Sequence, residues 1–189
     1  MAVEPLADRS FAGYRRKLIE QIRGRGIDDL VILQLFDLVP RHLFVPEAVW
    51  PRAYEDAAIP IGYGQTVSQP SLQALYLSVL DIKPDDTVLE IGTGSGFLTG
   101  LLALMADRVY SIERIRELSV RARAALDHLG VKNVALMVGD GTIGWRKYAP
   151  FDVIVVSAAS PSVPPAFIDQ LAEGGRMLIP VGTRERQEL

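Results

Sequence analysis

Three glycines within five positions, directly after an apolar run and a carboxylate, constrain this fold more than anything else in the chain: Val88-Leu89-Glu90-Ile91-Gly92-Thr93-Gly94-Ser95-Gly96. The apolar run reads as a buried strand. Glycine permits the tight turn and lets backbone approach a ligand with no Cβ in the way. Residues 97–105 then read as a helix, and a second apolar run, Val109-Tyr110-Ser111-Ile112, ends in Glu113. Strand, glycine turn, helix, strand and acid, in that order, make the first half of a nucleotide-binding α/β unit. An acid after the second strand can accept hydrogen bonds from both hydroxyls of a ribose.

The rest of the chain fits around that unit. Phe11, Tyr14, Leu18 and Ile22 recur at helical spacing and predict a helix over 11–23, stopped by Gly24 and Gly26. Asp28 offers the N-cap of a second helix, with Val31, Leu35 and Leu38 on one face and Pro40 as its stop. Residues 40–64 hold four prolines and little periodicity, too long a span for an ordinary loop, so part of it is packed or functional. Pro70 opens a third helix with an apolar stripe of Leu72, Leu75, Tyr76, Val79 and Leu80. Strands are expected over 87–91, 108–112, 134–138, 151–156 and 176–179, with helices over 115–129 and 165–171. The run 151–156 is apolar nearly throughout, as in a strand covered on both faces. The expected fold is α/β and Rossmann-like: a doubly wound, mostly parallel sheet with helices on both faces and an N-terminal helical extension.

Composition sets outer bounds. The 189 residues suffice for one such domain with a full core. No apolar run reaches about 18 residues, so no membrane span is expected, and the first ten residues do not read as a signal peptide. The chain has no cysteine, which excludes disulfides and thiolate metal sites, and a cytoplasmic protein is the expectation. Net charge is −3, and Arg15-Arg16-Lys17 and Arg23-Gly24-Arg25 are short, reading as solvated helix faces rather than a nucleic-acid surface. His42 and His128 are the only histidines and stand apart, so no metal site is expected.

The glycine spacing narrows the ligand. The dinucleotide fingerprint G-x-G-x-x-G would place its third glycine at 97, where the chain has Phe97. Glu90 at the strand end suits a cation and would repel a phosphate. A purely structural turn would show the same glycines; Glu113 adds the ligand signal. The G-x-G-x-G form with its preceding acid resembles the first motif of class I S-adenosylmethionine-dependent methyltransferases, whose ligand carries a sulfonium and an amino acid end but no phosphate.

Five stretches resemble, more narrowly, the protein-L-isoaspartate O-methyltransferase family. They are Val39-Pro40-Arg41-His42-Leu43-Phe44-Val45-Pro46; Ala53-Tyr54-Glu55-Asp56 with the run from Pro60 through Gly64-Gln65-Thr66-Val67-Ser68-Gln69-Pro70; the glycine turn; Gly139-Asp140-Gly141 with Gly144-Trp145 and Pro150-Phe151-Asp152; and Asp169-Gln170-Leu171 through Gly174-Gly175 to Gly182. The Gly-Gln-Thr-Val-Ser-Gln-Pro segment is the specific one, since ordinary methyltransferases lack it. The resemblance implies one methyltransferase domain over 1–189, with a helical and substrate segment over 1–80 and a cofactor-binding core over 81–189. It implies methyl transfer from S-adenosyl-L-methionine, leaving S-adenosyl-L-homocysteine, to the α-carboxylate of L-isoaspartyl residues in damaged proteins and peptides. The ester collapses to a succinimide, which returns part of the damage to normal aspartate.

Ser68 is then the active-site serine, its hydroxyl donating to the substrate carboxylate. Since no base stands beside it in sequence, it should orient rather than attack; capping the helix at Pro70 is its other reading. Gln65, Thr66 and Val67 would line the same turn against the cofactor, or serve as plain turn residues. Glu90, Gly92, Thr93 and Gly94 would lie against the cofactor's amino acid end, and Glu113 would take its ribose hydroxyls. Asp140 and Gly141 would meet the adenine, with an Asx turn as the other reading of Asp140. Ser157 to Pro161 fall on the ligand side of such a sheet, and Trp145 reads as packing.

Two departures from the family's pattern stand out. Some members carry aromatic or histidine residues where this chain has Ser71-Leu72-Gln73, which leaves contacts from that helix start open. The chain also stops at Leu189, where the family continues through further edge strands; Gln187-Glu188-Leu189 reads as the start of one. Missing C-terminal edge strands would leave an open sheet edge, and with it a possible homodimer. Two other functions stay open: a peptide- or small-molecule-specific carboxyl O-methyltransferase on the same scaffold, and a truncated form that binds cofactor without turnover.

Overall fold

The computed structural model describes residues 11–182 and 187–188. Helix α1 (Ala12–Gly24) buries Leu18 and Ile22, as the periodicity requires. Tyr14 is half exposed, however, and Arg15 takes the inward place, bonding Asp37 at 3.3 Å, so the basic cluster there is not wholly solvated. Helix α2 (Leu30–Leu38) is capped by Asp29 rather than Asp28: the Asp29 carboxylate accepts the N–H groups of Val31 and Ile32 at 2.8 and 3.1 Å.

The proline-rich span is packed. Two 3₁₀ turns, Arg41–Phe44 and Glu47–Arg52, lead to a hairpin of β1 (Ile59–Gly62) and β2 (Gln65–Val67), with Tyr63 and Gly64 at its tip. Helix α3 (Pro70–Leu80) turns Ser71, Gln73, Ala74, Tyr76, Leu77 and Leu80 inward, while Leu75 and Val79 of the expected stripe face outward. In so apolar a helix more than one stripe satisfies the 3.6-residue period, and the neighbours decide which is used.

The core follows as β3 (Thr87–Ile91), α4 (Phe97–Met105), β4 (Arg108–Glu113), α5 (Arg116–Leu129), β5 (Val134–Val138), β6 (Phe151–Val156), α6 (Pro165–Gln170) and β7 (Leu171–Leu178). Five strands form one parallel sheet in the order β5-β4-β3-β6-β7. The chain enters at the centre, runs to one edge, then returns past β3 to fill the other. That reversal leaves a crevice at the carboxyl ends of β3, β4 and β6, where such sheets bind ligands. Strand β7 begins at Leu171, five residues earlier than its apolar run suggested.

Alternation along the strands splits the interior in two. Val88, Val109, Val153 and Val155 pack with the residues of α1 to α5; Leu89, Ile112, Ile154 and Val156 pack with Phe167 of α6. Helices thus cover both faces, very unequally. Beyond β7, β8 (Val181–Gly182) and β9 (Gln187–Glu188) pair antiparallel as a separate sheet. The strand anticipated at Gln187 therefore exists but does not extend the parallel sheet, and the outer edge of β7 has no strand partner there among the described residues. No helix among the described residues is long and apolar enough to cross a membrane.

Candidate active site

A cavity of about 380 Å³ opens at the crevice, within the usual range for small-ligand sites of roughly 300–1,000 Å³. Its floor is the glycine turn, with Gly92, Thr93 and Gly94 on the wall. Gly92 donates its N–H to the Ile112 carbonyl at 2.8 Å, which folds the turn back onto β4. Gly92, Gly94 and Gly96 all have positive φ, which glycine adopts without penalty. Gly96 has a second constraint: a Cβ there would sit 2.9 Å from the Ala122 side chain of α5.

Glu113, at the end of β4, is on the wall and nearly buried. Its oxygens accept the N–H groups of Gly94 at 2.8 Å and Ile115 at 2.9 Å. Each carboxylate oxygen retains a second lone pair, so Glu113 can still accept hydroxyl donors from the cavity. Asp140 and Gly141, after β5, form the next stretch of wall. The Asp140 carboxylate takes the Thr142 N–H and hydroxyl at 2.9 and 2.8 Å, and these bonds hold its pKa below the ordinary value. It is the Asx turn and a cavity residue at once. A Cβ at Gly141 would run into Ile91. At Gly144, where φ is +64°, it would overlap the buried Gln170 amide, which binds the Ile143 carbonyl and the Trp145 N–H at 2.9 and 2.7 Å. Gln170 thereby fixes the loop carrying Asp140, and Trp145 packs against Tyr110 and Tyr148.

Glu90 is placed differently from expectation. It is fully buried and absent from the cavity wall. Its Oε2 accepts the hydroxyls of Thr99 at 2.5 Å and Ser111 at 2.6 Å. Ser111 has one proton and gives it to Glu90, so the 2.5 Å contact between Ser111 and Thr93 runs from the Thr93 hydroxyl. Glu90 meets the cavity only through this relay, because the alternation of β3 turns its side chain away from the crevice. Burial pushes its pKa up to about 7; the two hydroxyl bonds oppose the rise, and the charge of Glu113 adds to it. Thr99 and Ser111 were missed in the sequence, though each is a polar residue inside an apolar run, which was the available signal.

The opposite wall comes from β2 and the turn after it: Gln65, Thr66, Val67 and Ser68, joined by Gln73 of α3. Ser68 does not cap α3. The N-cap position is Gln69, and the cap arrives from a distance: Asp56 accepts the Ser71 N–H at 2.8 Å and the Gln69 side-chain amide at 2.9 Å. Burial raises the Asp56 pKa, but these bonds and the charge of Arg25 outweigh it, and the carboxyl is held below its ordinary value. The Ser68 carbonyl is bound by Arg41 Nη2 at 2.9 Å. The cavity thus gathers every anticipated site residue except Glu90. Its acceptor set fits a ligand rich in hydroxyl and amine N–H groups, since the carboxylates of Glu113 and Asp140 stand on the wall.

A parallel sheet of this order with a G-x-G-x-G turn at its centre and an acid ending the next strand defines the class: the S-adenosylmethionine-dependent methyltransferase fold of class I. The sequence profile of the protein-L-isoaspartate(D-aspartate) O-methyltransferase (PCMT) family matches residues 14–189. The chain belongs to this family. Protein-L-isoaspartate O-methyltransferase 2 of Geotalea uraniireducens (strain Rf4) is 52% identical over 176 residues, covering 93% of this chain and 81% of the relative. The protein-L-isoaspartate O-methyltransferase of Syntrophus aciditrophicus (strain SB) is 50% identical over 180 residues, covering 95% and 83%. Among solved structures, a protein-L-isoaspartate O-methyltransferase matches with a TM-score of 0.79 at 31% identity, over 92% of this chain and 57% of that one. A Plasmodium falciparum protein assigned to the same activity, in complex with S-adenosyl-L-homocysteine, matches with a TM-score of 0.81 at 26% identity, over 92% and 86%.

Proposed function

We propose that this chain transfers a methyl group from S-adenosyl-L-methionine to the α-carboxylate of L-isoaspartyl residues in damaged proteins and peptides. The observation that carries this reading is the shared cavity: Ser68, on the Gly-Gln-Thr-Val-Ser-Gln-Pro segment, opens onto the same space as the glycine turn and Glu113. Gly92, Thr93 and Gly94 would hold the cofactor's amino acid end, Glu113 its ribose hydroxyls, and Asp140 and Gly141 its adenine, with Gln65, Thr66 and Val67 closing over it. Bound S-adenosylmethionine would supply an electrophilic methyl group on a sulfonium. The acceptor carboxylate, with an ordinary pKa of about 4, is already ionised at neutral pH and needs no base. No histidine lies on the cavity wall. The Ser68 hydroxyl orients one carboxylate oxygen, so the residues work by positioning and by excluding water.

The test pairs an isoaspartyl peptide with its aspartyl counterpart in the presence of labelled cofactor. A base-labile label on the isoaspartyl peptide alone is expected. Labelling of both peptides, or of neither, contradicts the reading.

The N-terminal helices and the sheet act as one domain, since a single buried cluster runs from Leu18 and Phe36 to Val109 and Val155. A second copy would pair along the outer edge of β7 to form a homodimer; light scattering at low concentration should give twice the chain mass, and a clean monomer rules the pairing out. A cytoplasmic setting suits a cysteine-free chain.

A further inference from the structure

We infer that Gln73 is a second hydrogen-bond donor to the acceptor carboxylate, held in its donating orientation by Arg41; this deepens the reading of the cavity just given and rests on it. Gln73 is 4% exposed and lies on the wall of the cavity that holds Ser68. Arg41, 1% exposed, donates Nη1 to Gln73 Oε1 at 3.1 Å and Nη2 to the Ser68 carbonyl at 2.9 Å. A guanidinium only donates, so this bond settles which end of the Gln73 amide is oxygen. The NH₂ end has no acceptor among the described residues and is not sealed from solvent, on the wall that also carries the serine.

Arg41 itself points to an anion. Its guanidinium lies over the Phe97 ring, 4.8 Å from the centroid, its Nε has no partner, and no carboxylate of the described residues bonds to it. Burial lowers its pKa to about 9, which still leaves it charged at neutral pH. The charge of Asp56 acts on Arg41 but makes no bond to it, and a buried cation so loosely paired is costly. A carboxylate bound at Ser68 answers both features: it accepts from the open Gln73 NH₂ and adds negative charge one hydrogen bond from Arg41. Two donors from neighbouring positions also restrict the carboxylate's rotation, which a single hydroxyl cannot do. An α-carboxamide in its place has one acceptor oxygen instead of two and no charge, so it serves this pair of donors less well.

The experiment measures, by calorimetry with S-adenosyl-L-homocysteine present, the affinity of an isoaspartyl peptide and of its α-carboxamide analogue for wild type, Gln73→Leu and Gln73→Glu. Gln73→Leu should weaken the isoaspartyl peptide roughly 10- to 100-fold, the worth of a hydrogen bond to a charged group. It should also lose the wild type's preference for carboxylate over carboxamide, raise KM more than it lowers kcat, and keep S-adenosyl-L-homocysteine affinity within about twofold. Gln73→Glu presents like charge to the substrate and should bind the peptide still less. Arg41→Lys, which keeps the charge but not the fork that holds both Gln73 and Ser68, should show a partial loss of the same kind. A Gln73→Leu protein with wild-type peptide affinity removes the inference while leaving the repair reading intact. An equal loss for peptide and S-adenosyl-L-homocysteine makes Gln73 merely structural. A wild type that binds neither peptide removes the repair reading, and this inference with it.

Discussion

At the scale of single residues, the environment decides what a side chain can do, and Glu90 shows it most clearly. Its position at the end of a strand suggested a carboxylate facing a cationic ligand; instead it is sealed behind Thr93 and Ser111. Burial raises its pKa from the ordinary 4.5 to about 7. Below pH 4.5 the folded and unfolded chains both hold the proton, and between there and about 7 only the folded chain does. The stabilisation from this group is therefore complete below the lower value and lost as pH rises through the upper one. A shift of this size corresponds to a few kcal/mol, on the order of 3. Glu90→Gln, which keeps the shape of the neutral acid, should flatten the unfolding free energy measured in urea between about pH 5 and 7, where the wild type declines. Equal slopes for the two proteins would show that the pH dependence arises elsewhere. The place of Ser68 on the cavity wall, by contrast, was legible from its own neighbours, because the motif that carries it is contiguous.

At the scale of elements, helix α3 depends on a group outside its own sequence. Its first turn lacks a side-chain cap of its own, and Asp56, fifteen residues earlier, accepts the Ser71 N–H. The same carboxylate anchors Gln69 and so fixes the turn that presents Ser68. Its folded pKa is depressed, so its contribution is present above the ordinary 3.8 and lost as pH falls through the lower folded value. Asp56→Ala should cost about 1–2 kcal/mol at neutral pH, as loss of an N-cap does. It should also raise KM for the isoaspartyl peptide with little change in S-adenosyl-L-homocysteine affinity. A variant with unaltered melting and kinetics would show that α3 holds its own start. In the sequence the only cap on offer was Ser68, as its second reading, because a local serine before a proline-initiated helix is the ordinary solution and a distant carboxylate leaves no periodic trace.

At the scale of the whole molecule, folding and ligand binding are linked. The cavity walls come from the turns after β3, β4, β5 and β6 and from the β2–α3 segment. A ligand that fills it ties these together and is bound only by the folded chain. At about 100 times its dissociation constant, S-adenosyl-L-homocysteine should add about 2.7 kcal/mol, which for a chain of this size raises Tm by roughly 5–10 °C. ATP should produce no such shift, since Phe97 stands where the phosphate-binding fingerprint has its third glycine; a larger shift with ATP would overturn the assignment of the cavity. The sequence by itself determined the order of strands and helices, the glycine turn with its acid at 113, and the serine segment, because each is written in neighbouring residues whose spacing matches a backbone period. Only the tertiary structure decided that Asp29 rather than Asp28 caps α2, which stripe of α3 is buried, that Glu90 lies behind the wall, and that Arg41 joins Gln73 to Ser68. Those outcomes depend on contacts between residues far apart in the chain, and in an apolar, evenly patterned segment several local solutions are nearly equal until packing selects one.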